Sequence, residues 1–372
     1  MGKENTYECP VISRASTGIK DFKFIRLGKI AWPSMILAGD IGGTKCNLAV
    51  FEQAGTALRA VFQSRYATRD FSNFEHLFGS FVQAAHTHLG KSGGISITAA
   101  GFGIAGTVVG GRLHAINLPW QLEPASLAGT LNLDSKNIVF MNDLVATACG
   151  IDRLEPKDFF LLNEVTPQFQ ANKALIAAGT GLGEAMLFWD GQRHVAAPSE
   201  GGAADFAPRT AREIQFLQYL KQGLARVSCE EVFSGRGFRK IHEFLNPAVH
   251  HTVFDESSGD SAKEITQNAM SGACEVCVET LDFWIDSFGA ETGNLALRVL
   301  AYGGVYLAGG IALKILPKLK AGTFCHSFAD KAPLDAVLAR VPIFVILNED
   351  APLLGAAYGA LGTLDACLHA RT

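Results

Sequence analysis

Two glycine-rich loops of similar design lie about 140 residues apart in this chain. Each follows a short apolar run and precedes a stretch of strand character; the loops are Gly39-Asp40-Ile41-Gly42-Gly43-Thr44-Lys45 and Ala178-Gly179-Thr180-Gly181-Leu182-Gly183. Glycine leaves backbone N–H groups unobstructed, and such groups suit an anion such as phosphate. Two strand–turn–strand units that face each other are therefore predicted to hold the two ends of one triphosphate.

Two other interpretations of the glycine-rich segments, a Walker loop and a dinucleotide-binding loop, do not fit the sequence. A Walker loop needs Gly-Lys-Ser/Thr at the start of a helix, whereas Thr44 precedes Lys45 and a strand follows. The segment Gly101-Phe-Gly-Ile-Ala-Gly106 matches the dinucleotide pattern by letter, but that pattern should also open a helix. Residues 107–114 instead indicate a β-hairpin that turns at Gly110-Gly111, so no dinucleotide site is predicted.

The order of predicted strands and helices is similar in the two halves of the chain. Three strands, at 36–40, 46–52 and 57–65, precede alternating helices and strands in the first half. The second half restarts with strands at 159–162, 173–178, 184–189 and 192–197. We predict an α/β fold of two related domains with a cleft between them, where ligands collect at the carboxyl ends of strands.

The predicted domains are a small one, residues 35–152 plus 353–372, and a large one, residues 153–352. Residues 1–34 carry six Lys/Arg against three Asp/Glu and show little periodicity. They contain no apolar stretch long enough for a signal peptide. We expect them to form a disordered extension that catalysis does not need.

The amino-acid composition and the net charge favour some classes of protein over others. With 48% hydrophobic and 18% charged residues, the 372-residue chain is typical of a globular α/β enzyme. A net charge of −4 provides no basic field for nucleic acid or an anionic membrane. The most apolar region, Leu295–Leu316, is interrupted by Arg298 and two glycine pairs, so it is not expected to span a membrane.

The eight cysteines do not form a disulfide framework, and a cytoplasmic location is expected. The pair Cys274-Glu-Val-Cys277 lacks a second pair at zinc-finger spacing. His242, His250 and His251 could in principle complete a metal site. We interpret the pair as two thiols on one helical turn.

Several polar residues fall where predicted strands end. Asp143 follows Asn142 and an apolar strand, and it is either a helix N-cap or a functional carboxylate. Asp40 could organise Mg²⁺ through water. Asn117 offers an amide to a hydroxyl group. Two further candidates, Glu200 and Glu230, are each open to interpretation as ordinary surface charges.

Together these motifs resemble the bacterial-type glucokinases of the sugar kinase/Hsp70/actin superfamily, from Met35 to the last helix. The resemblance implies two ribonuclease-H-like (actin-like ATPase) domains. Residues 40–44 look like the first phosphate loop, residues 179–183 like the second, and Leu307-Ala-Gly309-Gly310-Ile311 like the adenosine-side loop. Asn142-Asp143 matches the pair that carries the catalytic base, and Asn117, Glu200 and Glu230 fall at sugar-contacting positions.

The resemblance implies phosphoryl transfer from ATP to the 6-hydroxyl of glucose. Asp143 would accept the hydroxyl proton, while the glycine loops and Mg²⁺ would offset phosphate charge. A homodimer, formed through apolar helices at about 261–300, is also implied. The repressor–kinases of the wider family carry a cysteine-rich zinc loop; this chain lacks that motif, so no structural zinc is predicted.

One departure concerns the sugar. The family normally has Glu-Gly-Gly-His where this chain has Glu200-Gly-Gly-Ala203. Alanine removes a side-chain hydrogen bond worth roughly 1–3 kcal/mol. Two alternatives therefore stay open: a kinase for another hexose, or a sugar-binding regulatory protein with weak catalysis. An actin-like or chaperone-like ATPase would not need the hydroxyl-binding residues.

Overall fold

A computed structural model describes residues 35–55, 57–89, 96–109, 112–115, 118, 120, 124–249 and 260–369. The strands of the first half are β1 (Met35–Ile41), β2 (Lys45–Ala54), β3 (Ala57–Ala67), β4 (Ile97–Ile104), β5 (Gly106–Val109), β6 (Arg112–Ala115) and β7 (Ile138–Asn142). Those of the second half are β8 (Phe159–Leu161), β9 (Lys173–Ala178), β10 (Leu182–Trp189), β11 (His194–Ser199), β12 (Gly304–Ala308) and β13 (Ile343–Ile346).

The two large sheets repeat one topology. The first has the order β3-β2-β1-β4-β7, and the second has the order β11-β10-β9-β12-β13-β8. In each, three antiparallel strands form a meander, and two further strands then run parallel to the first strand of that meander. This order is that of the ribonuclease-H-like fold, and the sequence-based prediction of two related α/β units is confirmed.

Two predicted elements differ from the observed ones. The strand predicted at 159–162 does not begin the second meander; as β8 it pairs antiparallel with β13 at the sheet edge. The sequence also predicts one helix over 311–320, and the structure breaks it into two short helices at Ile315. Pro317 lies in the first turn of the second helix, and a proline there has no N–H to continue the first. The hairpin of β5 and β6 follows β4 directly, so Gly101–Gly106 does not open a helix.

The helices of the first half and the chain end are α1 (Phe74–Leu89), α2 (Pro124–Leu131), α3 (Asp143–Gly150) and α13 (Ala351–His369). Between them lie α4 (Ala211–Leu220), α5 (Cys229–Phe233), α6 (Gly235–Leu245), α7 (Ser261–Ser271), α8 (Glu275–Val299), α9 (Gly310–Lys314), α10 (Leu316–Leu319), α11 (Thr323–Ala329) and α12 (Asp335–Leu338). Among the described residues, none of the helices is long and apolar enough to cross a membrane.

Close backbone packing joins the last helix to the first sheet. α13 packs on β1, β4 and α3. A Cβ on Gly101 of β4 would lie 2.0 Å from the carbonyl oxygen of Ala356, and one on Gly355 would lie 1.7 Å from that of Ala146. Glycine at these two positions lets α13 approach both elements. The packing therefore fixes α3, whose first residue is Asp143.

The longest helix, α8, is largely internal. It is 25 residues long, and most of its apolar side chains belong to the core of the second half. Trp284 is fully buried, with its ring centroid 5.0 Å from that of Phe238 and 4.5 Å from that of Phe288. The apolar pattern of 261–300 is thus used inside the chain, and the homodimer stays a prediction.

Candidate active site

One cleft of about 1020 Å³ lies where the carboxyl ends of β1 and β9 face each other. Both glycine loops contribute to its walls, together with the start of α3 and the turn after β11. The sequence-predicted residues that line it are Asp40, Gly42, Gly43, Thr44, Lys45, Asn142, Asp143, Gly179, Thr180, Gly181, Glu200, Glu230, Gly309 and Gly310. Residues that are distant in sequence are thus brought to one site.

Two of the described predicted site residues, Gly39 and Ile41, do not line the cleft. Gly39 is buried within β1, where a Cβ would lie 2.6 Å from the ring of Phe102. Ile41 is 1% exposed and belongs to the core of the first half. Strand alternation turns their side chains, or the hydrogen in the case of glycine, into the packed sheet, and their contact with the nucleotide stays a prediction. Asn117 lies outside the described residues.

Each of the two glycine loops is closed by one backbone hydrogen bond. The N–H of Gly42 donates to the carbonyl of Lys45 at 2.9 Å, and the N–H of Gly179 donates to that of Gly181 at 2.9 Å. Each bond makes a tight turn between antiparallel strands. Gly43, Thr44 and Thr180 stand exposed at the tips. Exposed main-chain amides at two opposed turns are well suited to anionic oxygens.

Asn142, and not Asp143, caps α3. The Asn142 Oδ1 accepts hydrogen bonds from the amides of Leu144 at 2.9 Å and Val145 at 3.3 Å. Its Nδ2 donates to the carbonyl of Gly106 at 2.8 Å and keeps a second N–H for a ligand. The cap role is therefore filled by the neighbour, and the carboxylate of Asp143 remains available for chemistry.

Asp143 is half-buried at the N-terminus of α3. Its Oδ1 accepts a hydrogen bond from Leu144 N at 3.0 Å. Burial raises the pKa of the carboxyl; the bonds from backbone amides oppose this shift, and the negative charge of Glu200 adds to it. A carboxylate whose pKa is raised is a stronger base, which suits general-base catalysis.

Asp40 shares the cleft with Asp143. Burial, with the charge of Asp143 as the second cause, raises the pKa of Asp40 to about 6. Asn47 on β2 donates through Nδ2 to the Asp40 Oδ2 at 3.3 Å. The Oδ1 of Asn47 is buried without a hydrogen-bond partner among the described residues. Asp40 and Asn47 both line the cleft, and carboxylate and amide oxygens fit Mg²⁺ and its waters.

Glu200 lies on an exposed turn that rests on a buried carboxyl. A Cβ on Gly201 would lie 1.8 Å from Glu184 Oε2, so the turn sits directly above this side chain. Glu184 is 1% exposed, and Arg298 lies 3.8 Å from it and 3.2 Å from Glu291. Burial, and then the charge of Glu291, raises the pKa of Glu184 to about 7; Arg298 opposes the shift.

Glu230 is attached to the second glycine loop. Its Oε2 accepts a hydrogen bond from Leu182 N at 3.1 Å, and Arg236 donates to its Oε1 at 2.9 Å. A Cβ on Gly181 would lie 2.6 Å from the carboxylate. Gly181 therefore has to be small for Glu230 to reach the loop, and its role as a sugar ligand stays a prediction.

The predicted adenosine-side loop packs on the end of β9. Gly309 has a φ of +88°, and a Cβ there would lie 2.4 Å from the carbonyl oxygen of Ala178. Only glycine combines this dihedral with this approach. Gly310 begins α9 and is exposed to the cleft.

Sequence reasoning missed four polar residues of the cleft: Asn47, Glu184, Ser199 and Arg236. A signal for Glu184 was present, because it is a charged residue inside the apolar strand Leu182–Trp189. Arg236 gave no comparable signal, since a cation in the first turn of a helix is ordinary surface chemistry. Asn47 becomes informative only when β2 pairs with β1 and faces it towards Asp40.

The chain is similar to glucokinases throughout its described part. The family model described as Glucokinase matches residues 37–362. The glucokinase of Trichormus variabilis is 36% identical over 345 residues, which cover 87% of this chain and 98% of that protein. The glucokinase of Synechocystis is 35% identical over 345 residues, which cover 86% of this chain and 96% of that protein.

Solved structures share the fold. A glucokinase from an Antarctic psychrotroph has a TM-score of 0.76 at 24% identity, covering 88% of this chain and 99% of that one. The glucokinase of Balamuthia mandrillaris in complex with glucose has a TM-score of 0.72 at 23% identity, covering 90% and 96%. With the match of the family model over most of its length, the chain belongs to the glucokinase family.

Proposed function

We propose that this chain transfers the γ-phosphate of ATP to the 6-hydroxyl of glucose, with Asp143 as the general base. The observation that carries the proposal is the position of Asp143. It shares one cleft with both glycine loops and with Glu200 and Glu230, while Asn142 takes over the helix cap. Membership of the glucokinase family supports glucose and ATP as substrates.

The proposed step moves one proton and one phosphoryl group. The hydroxyl oxygen of the sugar attacks the γ-phosphorus as its proton passes to the Asp143 carboxylate, and the bond from phosphorus to the leaving ADP oxygen breaks. The Leu144 amide donates to Asp143 Oδ1, and we assign Oδ2 as the oxygen that receives the proton. Glycine-loop amides stabilise charge that develops on the phosphate oxygens.

Mg²⁺ fits the cleft beside Asp40 and Asn47, because both residues line it and carry oxygen ligands. When bound with ATP, Mg²⁺ would neutralise phosphate charge. Asp40 would act through a coordinated water and Lys45, at the tip of the first loop, would add a positive charge. We place the sugar hydroxyls against Asn117, Asn142, Glu200 and Glu230.

Three further predictions accompany this proposal. The two sheets would form domains that divide near residues 152 and 353 and close on the substrate, which would exclude water as a competing acceptor. The chain would act in the cytoplasm as a homodimer. Its substrate would be a free sugar, because the cleft is lined by hydroxyl-binding and phosphate-binding groups.

The test measures ADP release with ATP and a panel of hexoses, for the natural chain and for Asp143→Asn. We expect glucose to be preferred, and we expect the substitution to lower kcat by about 10²–10⁴ with little change in the KM for glucose. Circular dichroism checks that the variant folds. A retained rate in Asp143→Asn would exclude this residue as the base. A tenfold better kcat/KM for another hexose would replace the proposed substrate.

A further inference from the structure

Three metal-ligating side chains meet at a position outside the cleft. The ring nitrogen of His242 on α6 and the sulfurs of Cys274 and Cys277 at the start of α8 all lie within 4.8 Å of one another. His242 and Cys277 have no exposed surface, and Cys274 is half-buried. Among the described residues this is the one group of three candidate ligands at such spacing.

We propose that His242, Cys274 and Cys277 bind a zinc ion. Zn–S bonds are about 2.3 Å and Zn–N bonds about 2.0–2.1 Å, so ligand atoms in a tetrahedral site lie about 3.5–3.8 Å apart. A contraction of at most about 1.3 Å brings the observed atoms to that separation. Imidazole and thiolate ligands select zinc over magnesium or calcium, which prefer oxygen.

The helix geometry favours the thiolates that zinc needs. Cys274 is the N-cap of α8, and Cys277 lies in its first turn. The amides of a first helical turn have no partner inside the helix, and the helix dipole is positive there, so negative charge is stabilised. Burial opposes this effect by raising the pKa of the Cys277 thiol, so zinc binding would have to displace its proton.

Three protein ligands would leave one tetrahedral position for water. The result is a His-Cys-Cys-water set, in which two ligands come from one helical turn and the third from another helix. Tertiary structure supplies that third ligand, 32 residues upstream of Cys274. This proposal departs from the sequence-based prediction of no structural zinc, which interpreted the two cysteines as thiols on one helical turn. The other two histidines considered, His250 and His251, lie outside the described residues.

The proposed zinc site would fix the position of α6, because each end of this helix would then be attached to another part of the second half. At its C-terminal end, His242 would be tied to the start of α8. At the other end, the N–H of Gly235 donates to the carbonyl of Gly179 in the second glycine loop at 2.8 Å. The eleven residues of α6 span about 16 Å. Loss of zinc would therefore lower the Tm and loosen the loop without touching a reacting atom.

The test measures metal content in protein that carries no polyhistidine tag. The chain is expressed with added zinc, dialysed without chelator and analysed by elemental mass spectrometry. We expect about one zinc per chain. Exchange with Co²⁺ is expected to give a thiolate-to-cobalt charge-transfer band in the near ultraviolet. Cys274→Ser and Cys277→Ser are expected to lower the metal content at least about tenfold.

Cys325→Ser is the matched control, because this half-buried thiol on α11 lies outside the cluster and should leave the zinc in place. Titration of the natural chain with a mercurial gives a readout that needs no variant: zinc should leave as thiols are modified. A natural chain without zinc, or cluster variants that keep it, would overturn the proposal. So would a Cys274–Cys277 disulfide in the freshly purified chain, detected as a mass lower by two hydrogens that reductant restores and assigned to this pair by peptide mapping.

Discussion

The carboxylate of Glu230 accepts a hydrogen bond of 3.1 Å from the amide of Leu182, so a predicted sugar ligand is fastened to the second glycine loop. Arg236 binds the other carboxylate oxygen at 2.9 Å. A change at one residue should therefore affect the sugar side and the nucleotide side of the cleft together.

We expect Glu230→Ala to raise the KM for glucose and the KM for ATP, each by roughly tenfold or more, because Leu182 N loses its acceptor. Arg236→Gln breaks the ion pair but keeps that hydrogen bond, so smaller changes are expected. Glu231→Gln is the control, since Glu231 pairs with Lys240 and does not line the cleft. Steady-state kinetics measures both KM values. A change in only one of them in Glu230→Ala would show that Glu230 does not link the sugar site to the nucleotide site.

Ala203→His should strengthen glucose binding. Ala203 is exposed on the turn that carries Glu200, and its carbonyl accepts a hydrogen bond from Arg226 at 2.6 Å. A histidine there would add a side-chain hydrogen bond to a sugar hydroxyl, worth roughly 1–3 kcal/mol, or about ten- to a few hundredfold in KM. Ala203→Leu adds bulk without a donor and controls for shape. An equal KM in the natural chain and Ala203→His would refute the contact.

Mg²⁺ activation should weaken at low pH. The pKa of Asp40 is raised to about 6, chiefly by burial and then by Asp143. Below that pH the carboxyl is protonated and loses the charge that attracts the cation. We expect the Mg²⁺ concentration for half-activation to be roughly fourfold higher near pH 5.5 than near pH 8.

Asp40→Asn should need more Mg²⁺ at every pH and lose this dependence, whereas the exposed Asp70→Asn should resemble the natural chain. Chelation should abolish activity, and added Mg²⁺ should restore it. The measurement is initial rate against Mg²⁺ concentration at each pH. A half-activation concentration that does not vary with pH in the natural chain would rule out Asp40 as the group responsible.

We expect the free energy of unfolding to fall as the pH rises, because the buried Glu184 then loses its proton. Because its pKa is raised from 4.5 to about 7, the folded chain holds this proton more tightly than the unfolded chain does. Its contribution to the free energy of unfolding is therefore largest below about pH 4.5 and is lost as the pH rises to about 7. The full change is on the order of 3 kcal/mol.

Urea unfolding at about pH 5 and about pH 8 measures this contribution. We expect the free energy of unfolding of Glu184→Gln to fall less between the two values than that of the natural chain. Glu243→Gln alters a surface pair with Arg239 and serves as the control. If Glu184→Gln and the natural chain lose stability in parallel, the burial of Glu184 does not control this pH dependence.

Gly355→Ala should disturb both stability and catalysis. A Cβ at this position would lie 1.7 Å from the Ala146 carbonyl oxygen, so α13 would be pushed away from α3. The expected cost is about 1–3 kcal/mol, with a lower kcat because α3 carries Asp143. Gly362→Ala is on the same helix with open space around it, and it should be neutral or stabilising by up to about 1 kcal/mol. Thermal unfolding should separate the two variants; equal Tm values would contradict the packing argument.

The sequence by itself determined the elements and the local chemistry. Apolar runs around the two glycine loops predicted the meanders β1-β2-β3 and β9-β10-β11, because strand alternation and turn glycines act over a few residues. The same local signals located Asp143 at the start of a helix. They could not tell that Asn142 provides the cap, because Asn and Asp are equally good caps.

Tertiary structure alone decided which groups meet. The two glycine loops face each other because the two sheets pack around separate cores with one cleft between them. The same long-range packing buries Glu184 under Gly201, and it brings His242 to the two cysteines of α8. Contacts of this kind depend on the relative positions of whole helices and sheets, and no local pattern of residues encodes them. The close glycine approach of α13 to α3 has the same origin, and it holds Asp143 in the cleft.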